Sequence, residues 1–118
     1  MFHVVIAGGR DFTDYETLKA YVNYKLSNKK EAIEIVSGGC PTGADYLGER
    51  YAAEMGVSLC RFPADWQKYG RSAGVRRNKQ MAEYADALIA FWAGKSRGTK
   101  NMIEEAKAAK IAVAIKRY

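Results

Sequence analysis

The chain has 118 residues, enough for one domain with a real core and too few for a second. Its hydrophobic fraction of 48% and charged fraction of 27% suit an ordinary globular protein, and no apolar run nears the roughly 20 residues that cross a bilayer. The net charge of +6 with a pI near 9.4 fits an acidic partner without naming one.

Residues 3–7 form a continuous apolar run, the mark of a strand buried on both faces. Thr13-Asp-Tyr-Glu16 reads as a capping box, which starts a helix near Asp14. Tyr15, Leu18, Val22 and Leu26 give that helix an apolar stripe, and Ser27-Asn28 ends it. Ala32 to Val36 is the second strand. Gly43 to Met55 is the second helix, with Ala44, Leu47, Tyr51 and Met55 on one side and Gly56 as terminator. Val57 to Phe62 is the third strand, closed by Pro63, and carries Cys60 as a core residue. Ala64 to Ser72 shows no period and reads as a loop. Ala73 to Tyr84 is a third helix with Gly74, Asn78, Met81 and Ala85 on one face. Asp86 to Trp92, Gly98 to Ala109 (Met102, Ile103, Ala106 and Ala109 inward) and Ile111 to Ile115 complete a strand–helix–strand finish.

This alternation with short connections calls for a single α/β domain over 1–118. It is a Rossmann-like three-layer sandwich around a five-stranded parallel sheet of order 3-2-1-4-5. That order reverses between the first and fourth strands, opening a crevice at their carboxyl ends.

Three apolar runs end in glycine-rich loops followed by helices: Gly8-Gly9-Arg10-Asp11, Ser37-Gly38-Gly39-Cys40-Pro41-Thr42-Gly43-Ala44-Asp45, and Gly94-Lys95-Ser96-Arg97-Gly98-Thr99. Glycine lets a ligand approach backbone N–H groups, and a helix opening there aims unpaired N–H groups and partial positive charge at the same spot. Repeated on neighbouring strands, this makes an anion pocket suited to nucleotide phosphates. Neither the Walker A pattern nor the GxGxxG fingerprint is present, so an ordinary P-loop NTPase or NAD-dehydrogenase reading fails.

Within these loops Arg10 can clamp a phosphate bidentately. Asp11 either stabilises its turn or serves as a catalytic acid, and Asp45 either favours the helix dipole or contacts a ribose. Thr99 is read as the cap of its helix or as a phosphate contact. Arg77, one step from Asn78 on the sheet-facing side of the third helix, should project toward the crevice rim. Trp66, Tyr69 and Trp92 are candidates to stack on a base. Lys68, Arg71, Arg76, Arg77 and Lys79 form one basic cluster and Lys95, Arg97 and Lys100 another, either a solvated surface or an electropositive mouth. No Ser-His-Asp set or metal cluster is visible, and His3 is remote. Cys40 and Cys60 lack zinc spacing and are expected to be free thiols. With no signal-peptide pattern and a strand beginning almost at once, a cytoplasmic location without membrane association is expected.

The motifs GGRDF, SGG-x3-GAD, PADW-x2-YG-x3-G-x2-RN-x2-M and AD-x-LIAFW-x-G-x-SRGT-x2-MI resemble the SLOG superfamily of Rossmann-like proteins, and within it the YspA/YpsA-related branch. The resemblance covers about residues 3 to 115. The superfamily also includes the LOG phosphoribohydrolases, which split the N-glycosidic bond of nucleoside monophosphates, and the Smf/DprA proteins, which bind single-stranded DNA. Gly38-Gly39 and Gly43 match the first LOG glycine loop. Arg77, four residues before Met81, matches the arginine of their R-K-x-x-M helix, and Gly98-Thr99 the GT of their PGGxGTxxE motif. The glutamate of that motif is replaced by Met102.

The resemblance implies binding or sensing of a nucleotide-derived ligand, ADP-ribose-, NAD- or AMP-like, with no other cofactor and no metal. The ligand contacts expected are Gly8, Gly9, Arg10, Ser37, Gly38, Gly39, Thr42, Gly43, Ala44, Arg77, Asn78, Gly94, Ser96, Arg97, Gly98 and Thr99. A glycosidic hydrolase with Asp11 or Asp45 as its carboxylate is the first alternative, and single-stranded nucleic-acid binding the second. Related folds often pair through helices, so a homodimer or larger homo-oligomer is also expected.

Overall fold

In the computed structural model, which describes every residue from Met1 to Tyr118, strands and helices alternate in the expected order. They are β1 (Phe2–Gly8), α1 (Tyr15–Leu26), β2 (Ile33–Ser37), α2 (Gly43–Met55), β3 (Ser58–Arg61), α3 (Trp66–Tyr69), α4 (Ala73–Tyr84), β4 (Ala87–Trp92), α5 (Arg97–Ala108) and β5 (Ala112–Arg117). The sheet is five-stranded and parallel throughout, in the order β3-β2-β1-β4-β5. β1 lies at the centre, with Val5 opposite Val36 of β2 on one side and Leu88 of β4 on the other.

Alternate side chains of β1 enter opposite layers, because successive Cβ atoms of a strand point to opposite faces. Val4 and Ile6 pack with Tyr15, Leu18 and Val22 of α1 and Leu47 and Tyr51 of α2. Val5 and Ala7 pack with Met81 of α4 and Met102, Ile103 and Ala106 of α5. Both faces being covered explains why the central strands read as unbroken apolar runs rather than alternating ones.

Several expectations are corrected. The cap of α1 is Asp14 rather than Thr13: its carboxylate accepts the Thr17 amide at 3.1 Å. Ser96, not Thr99, caps α5, accepting the Thr99 amide at 3.2 Å. The segment expected to be loop holds α3 and a 3-10 turn at Gly70–Ser72. Asp65 caps α3 by accepting the Lys68 amide, and a four-residue helix is too short to show an apolar period. Met55 is exposed at the end of α2, and Cys60 is only half-buried because β3 is an edge strand. β5 runs past Ile115 to Arg117. Both cysteines are free, and no helix is long and apolar enough to cross a membrane.

Candidate functional site

Strand order puts the carboxyl ends of β1 and β4 side by side while their following helices depart to opposite faces. A cleft opens there, as at the switch point of other open α/β sheets. It has two chambers. The inner one, of about 110 Å³, is walled by Gly8 and Arg10 after β1, Cys40 and Asp45 around the start of α2, Arg77 and Asn78 of α4, and Ser96, Gly98 and Thr99 at the start of α5. The outer one, of about 460 Å³, adds Gly38, Gly39, Pro41 and Thr42 on one side and Arg61, Pro63, Ala64 and Trp66 on the other. Arg10, Cys40 and Arg77 belong to both.

The loops are locked together by backbone contacts that demand glycine. Gly43 sits at φ +73°, and a Cβ there would be driven into the Gly9 carbonyl and the Arg10 backbone. The Ala44 amide donates to that same Gly9 carbonyl at 3.2 Å. Gly38 is crowded by side chains instead: a Cβ would lie 2.7 Å from Nη1 of Arg77 and 2.9 Å from Oδ2 of Asp45, both of which would have to move.

Three guanidinium groups line the cleft, and their partners differ. Arg61 grips Glu49 through Nε at 3.0 Å and Nη2 at 2.7 Å. Glu49 also accepts the buried Ser37 hydroxyl at 2.8 Å. Burial pushes the Glu49 carboxyl up, but these bonds from Arg61 and Ser37 outweigh it and hold the group below its usual range. Arg77 donates Nη1 to the Gly38 carbonyl at 2.6 Å and Nε to Asn78 at 3.0 Å, while Asn78 reaches Asn101 at 2.9 Å. Arg77 therefore staples the loop after β2 to α4. Arg10 is exposed and enters none of the chain's three ion pairs. It is the cleft cation left free for an anion.

Asp45 is half-buried among them. Burial pushes its carboxyl up from 3.8 to about 6; the Cys40 amide, which it accepts at 3.4 Å, and the charges of Arg77 and Arg10 resist this, while Glu49 adds to it. The inner chamber that Asp45 lines also has apolar wall from Ala7, Met81 and Met102.

Residues 2–69, from β1 through the end of α3, match the family described as YspA, cpYpsA-related SLOG (YAcAr). The chain belongs to this SLOG family. The match takes in two of the three glycine loops and Trp66. Gene 61 protein of Mycobacterium phage D29 is 34% identical over 119 residues, covering 96% of this chain and 94% of that protein. No solved structure matches.

In this SLOG domain the expected contacts divide cleanly. Gly8, Arg10, Gly38, Gly39, Thr42, Asp45, Arg77, Asn78, Ser96, Gly98 and Thr99 line the cleft. Others lie behind it. Ser37 is buried against Glu49 and the Gly39 amide. Gly43 and Ala44 dock on Gly9, whose own amide donates to the Phe91 carbonyl at 3.2 Å. Gly94 makes a φ +90° turn beside Arg117, and Arg97 is exposed outside both chambers. Asp11 points away, accepting the Tyr118 hydroxyl at 2.7 Å; burial and this bond push that phenol to about 12. Of the two candidate acids, only Asp45 faces the cleft.

Cys40, Pro41, Arg61, Pro63, Met81 and Met102 were not among the expected contacts. Met102 carried a usable signal. Its position, three after Thr99, is where the LOG motif has glutamate, and it proves to be cleft wall.

Proposed function

We propose that the cleft binds a nucleotide-derived ligand of the AMP, NAD or ADP-ribose kind, its phosphate held by Arg10 and the first turn of α5. The observation carrying this is the convergence of amide-rich turns from three separate strands beside a cation with no partner of its own. The amides of Arg97 and Gly98 have no acceptor within the chain, as expected for the open end of a helix, and that end favours an anion. Membership of the SLOG family, associated with nucleotide-related binding or processing, points the same way.

Thermal unfolding with AMP, ADP-ribose, NAD and cyclic nucleotides tests the proposal. A ligand at about 100 times its Kd adds roughly 2.7 kcal/mol, or about 10 °C in Tm for a domain this size. Arg10→Ala should leave the unliganded Tm within about 1 °C, its side chain being exposed, yet weaken binding by about 1.5–3 kcal/mol. No shift with any of these ligands refutes the reading.

Asp45 favours a second reading, hydrolysis of the ligand's N-glycosidic bond. A carboxyl of pKa about 6 is largely ionised at neutral pH, and in the inner chamber it would stabilise positive charge growing on the ribose. Water would add its oxygen to the sugar carbon as the base departs with a proton. Release of free base, followed by chromatography and lost in Asp45→Asn, separates this enzyme from a binder.

A further inference from the structure

The outer chamber differs in chemistry from the inner one. Both prolines of the chain stand in its wall, together with Ala64 and the indole of Trp66. Pro63 offers no N–H, so with Ala64 and Trp66 it gives one side of the chamber an apolar surface beside Arg61. Arg10 and Arg77, which it shares with the inner chamber, also line it. Its volume of about 460 Å³ falls in the range of small-molecule sites.

Of the three aromatic residues suited to stack on a base, only Trp66 lines the cleft, and it alone has no cation over its ring. Tyr69 lies beneath Arg76 at 4.4 Å and Lys68 at 5.1 Å. Trp92 donates Nε1 to the Ser96 carbonyl at 3.2 Å and carries Arg117 over its ring at 4.9 Å. Trp66 is 57% exposed, with neither a cation nor another ring against it.

Trp66 is nonetheless held in place. It opens α3, which Asp65 caps, and its carbonyl accepts the Gly70 amide as the chain turns at φ +54°. The edge of its ring rests over Gly74 of α4, where an added Cβ would stand 3.4 Å from it. A large apolar plate fixed in water at the mouth of a chamber has already lost much of the freedom that stacking would otherwise remove.

The geometry points to Trp66 as the stacking plate of a nucleobase subsite in the outer chamber. This rests on the phosphate reading of the inner chamber and adds to it which end of the ligand lies where: phosphate inward at Arg10, base outward on Trp66. Stacking accepts any base, since each has a π face, and contributes about 5- to 150-fold in affinity.

Calorimetric titration of the full chain with AMP and with ribose 5-phosphate isolates the base. The wild type should bind AMP about 5- to 150-fold more tightly. Trp66→Ala should bring AMP down to the level of ribose 5-phosphate and leave ribose 5-phosphate unchanged, which also shows that the variant folds. Trp66→Phe should keep part of the preference. An AMP preference equal in Trp66→Ala and wild type, or absent from the wild type, overturns the base subsite while the phosphate reading stands. Failure of the wild type to bind either compound overturns the base subsite, and the phosphate reading falls with it when ADP-ribose, NAD and cyclic nucleotides also give no thermal shift.

Discussion

Asp45 and Arg77 approach the same peptide at Gly38, but only Arg77 finds a full-strength partner there. The carboxyl, raised to about 6 by burial, binds its proton more tightly in the folded chain than in the unfolded one, where 3.8 applies. The stability it contributes is thus complete below about 3.8, falls as pH rises toward 6, and stays low above that. Glu49, held low, acts in the opposite sense, losing stability as pH falls. Asp45→Asn cancels the first effect alone, since an amide oxygen can still accept from Cys40. The variant should gain on the order of 1–3 kcal/mol over the wild type at pH 8 and little at pH 4. Unfolding in urea across that range measures the difference, and a gap independent of pH refutes the assignment. Local sequence exposed the cleft position of neither acid: Asp11 and Asp45 both follow glycine loops. What separates them is the Tyr118 hydroxyl, 107 residues along the chain from Asp11, a contact no local pattern encodes.

The glycine loops work as elements because they touch one another before they touch any ligand. Gly43 is the clearest case, holding a left-handed conformation where a Cβ would run into the Gly9–Arg10 backbone. Gly43→Ala should cost about 1–3 kcal/mol through the positive φ and should further part α2 from β1. Loss of nucleotide binding should accompany the drop in Tm, since the separated loop includes Arg10. A variant of wild-type stability and affinity would show that the loops close independently. At this scale strands and long helices were legible, because covered strands are apolar throughout and α1, α2, α4 and α5 each run 12 or 13 residues with a stripe. Caps slipped by one to three residues, since Thr13 and Asp14, like Ser96 and Thr99, offer interchangeable oxygens, and only the chain's path decides which meets an amide. α3, with no stripe to announce it, escaped, and with it the element that holds Trp66.

Topology and charge are properties of the whole molecule, and the topology was the more legible. Sheet order and the place of the cleft follow from alternating elements and short connections, with no single residue deciding them. The net charge of +6 is less direct, for it fits a mononucleotide or a nucleic-acid strand equally. The partners of the cleft arginines separate these cases. Arg61 is held by Glu49 and Arg77 by the Gly38 carbonyl, leaving Arg10 as the free cation within the cleft. Each phosphate neutralised on a single strand contributes a salt slope of about −0.7, so six or more contacts lose about 300-fold or more between 50 and 200 mM salt. One contact loses only about threefold, and less still with a mononucleotide, which condenses few counterions. AMP affinity should therefore fall no more than about threefold over that range, and an oligonucleotide of about a dozen residues should bind no tighter than AMP. Titration of both ligands at the two salt concentrations decides the matter. Affinity that climbs with strand length and collapses with salt would move binding from the cleft to the cationic surface formed by residues such as Arg71, Lys79, Lys95 and Lys100, all exposed on or beside α4 and α5.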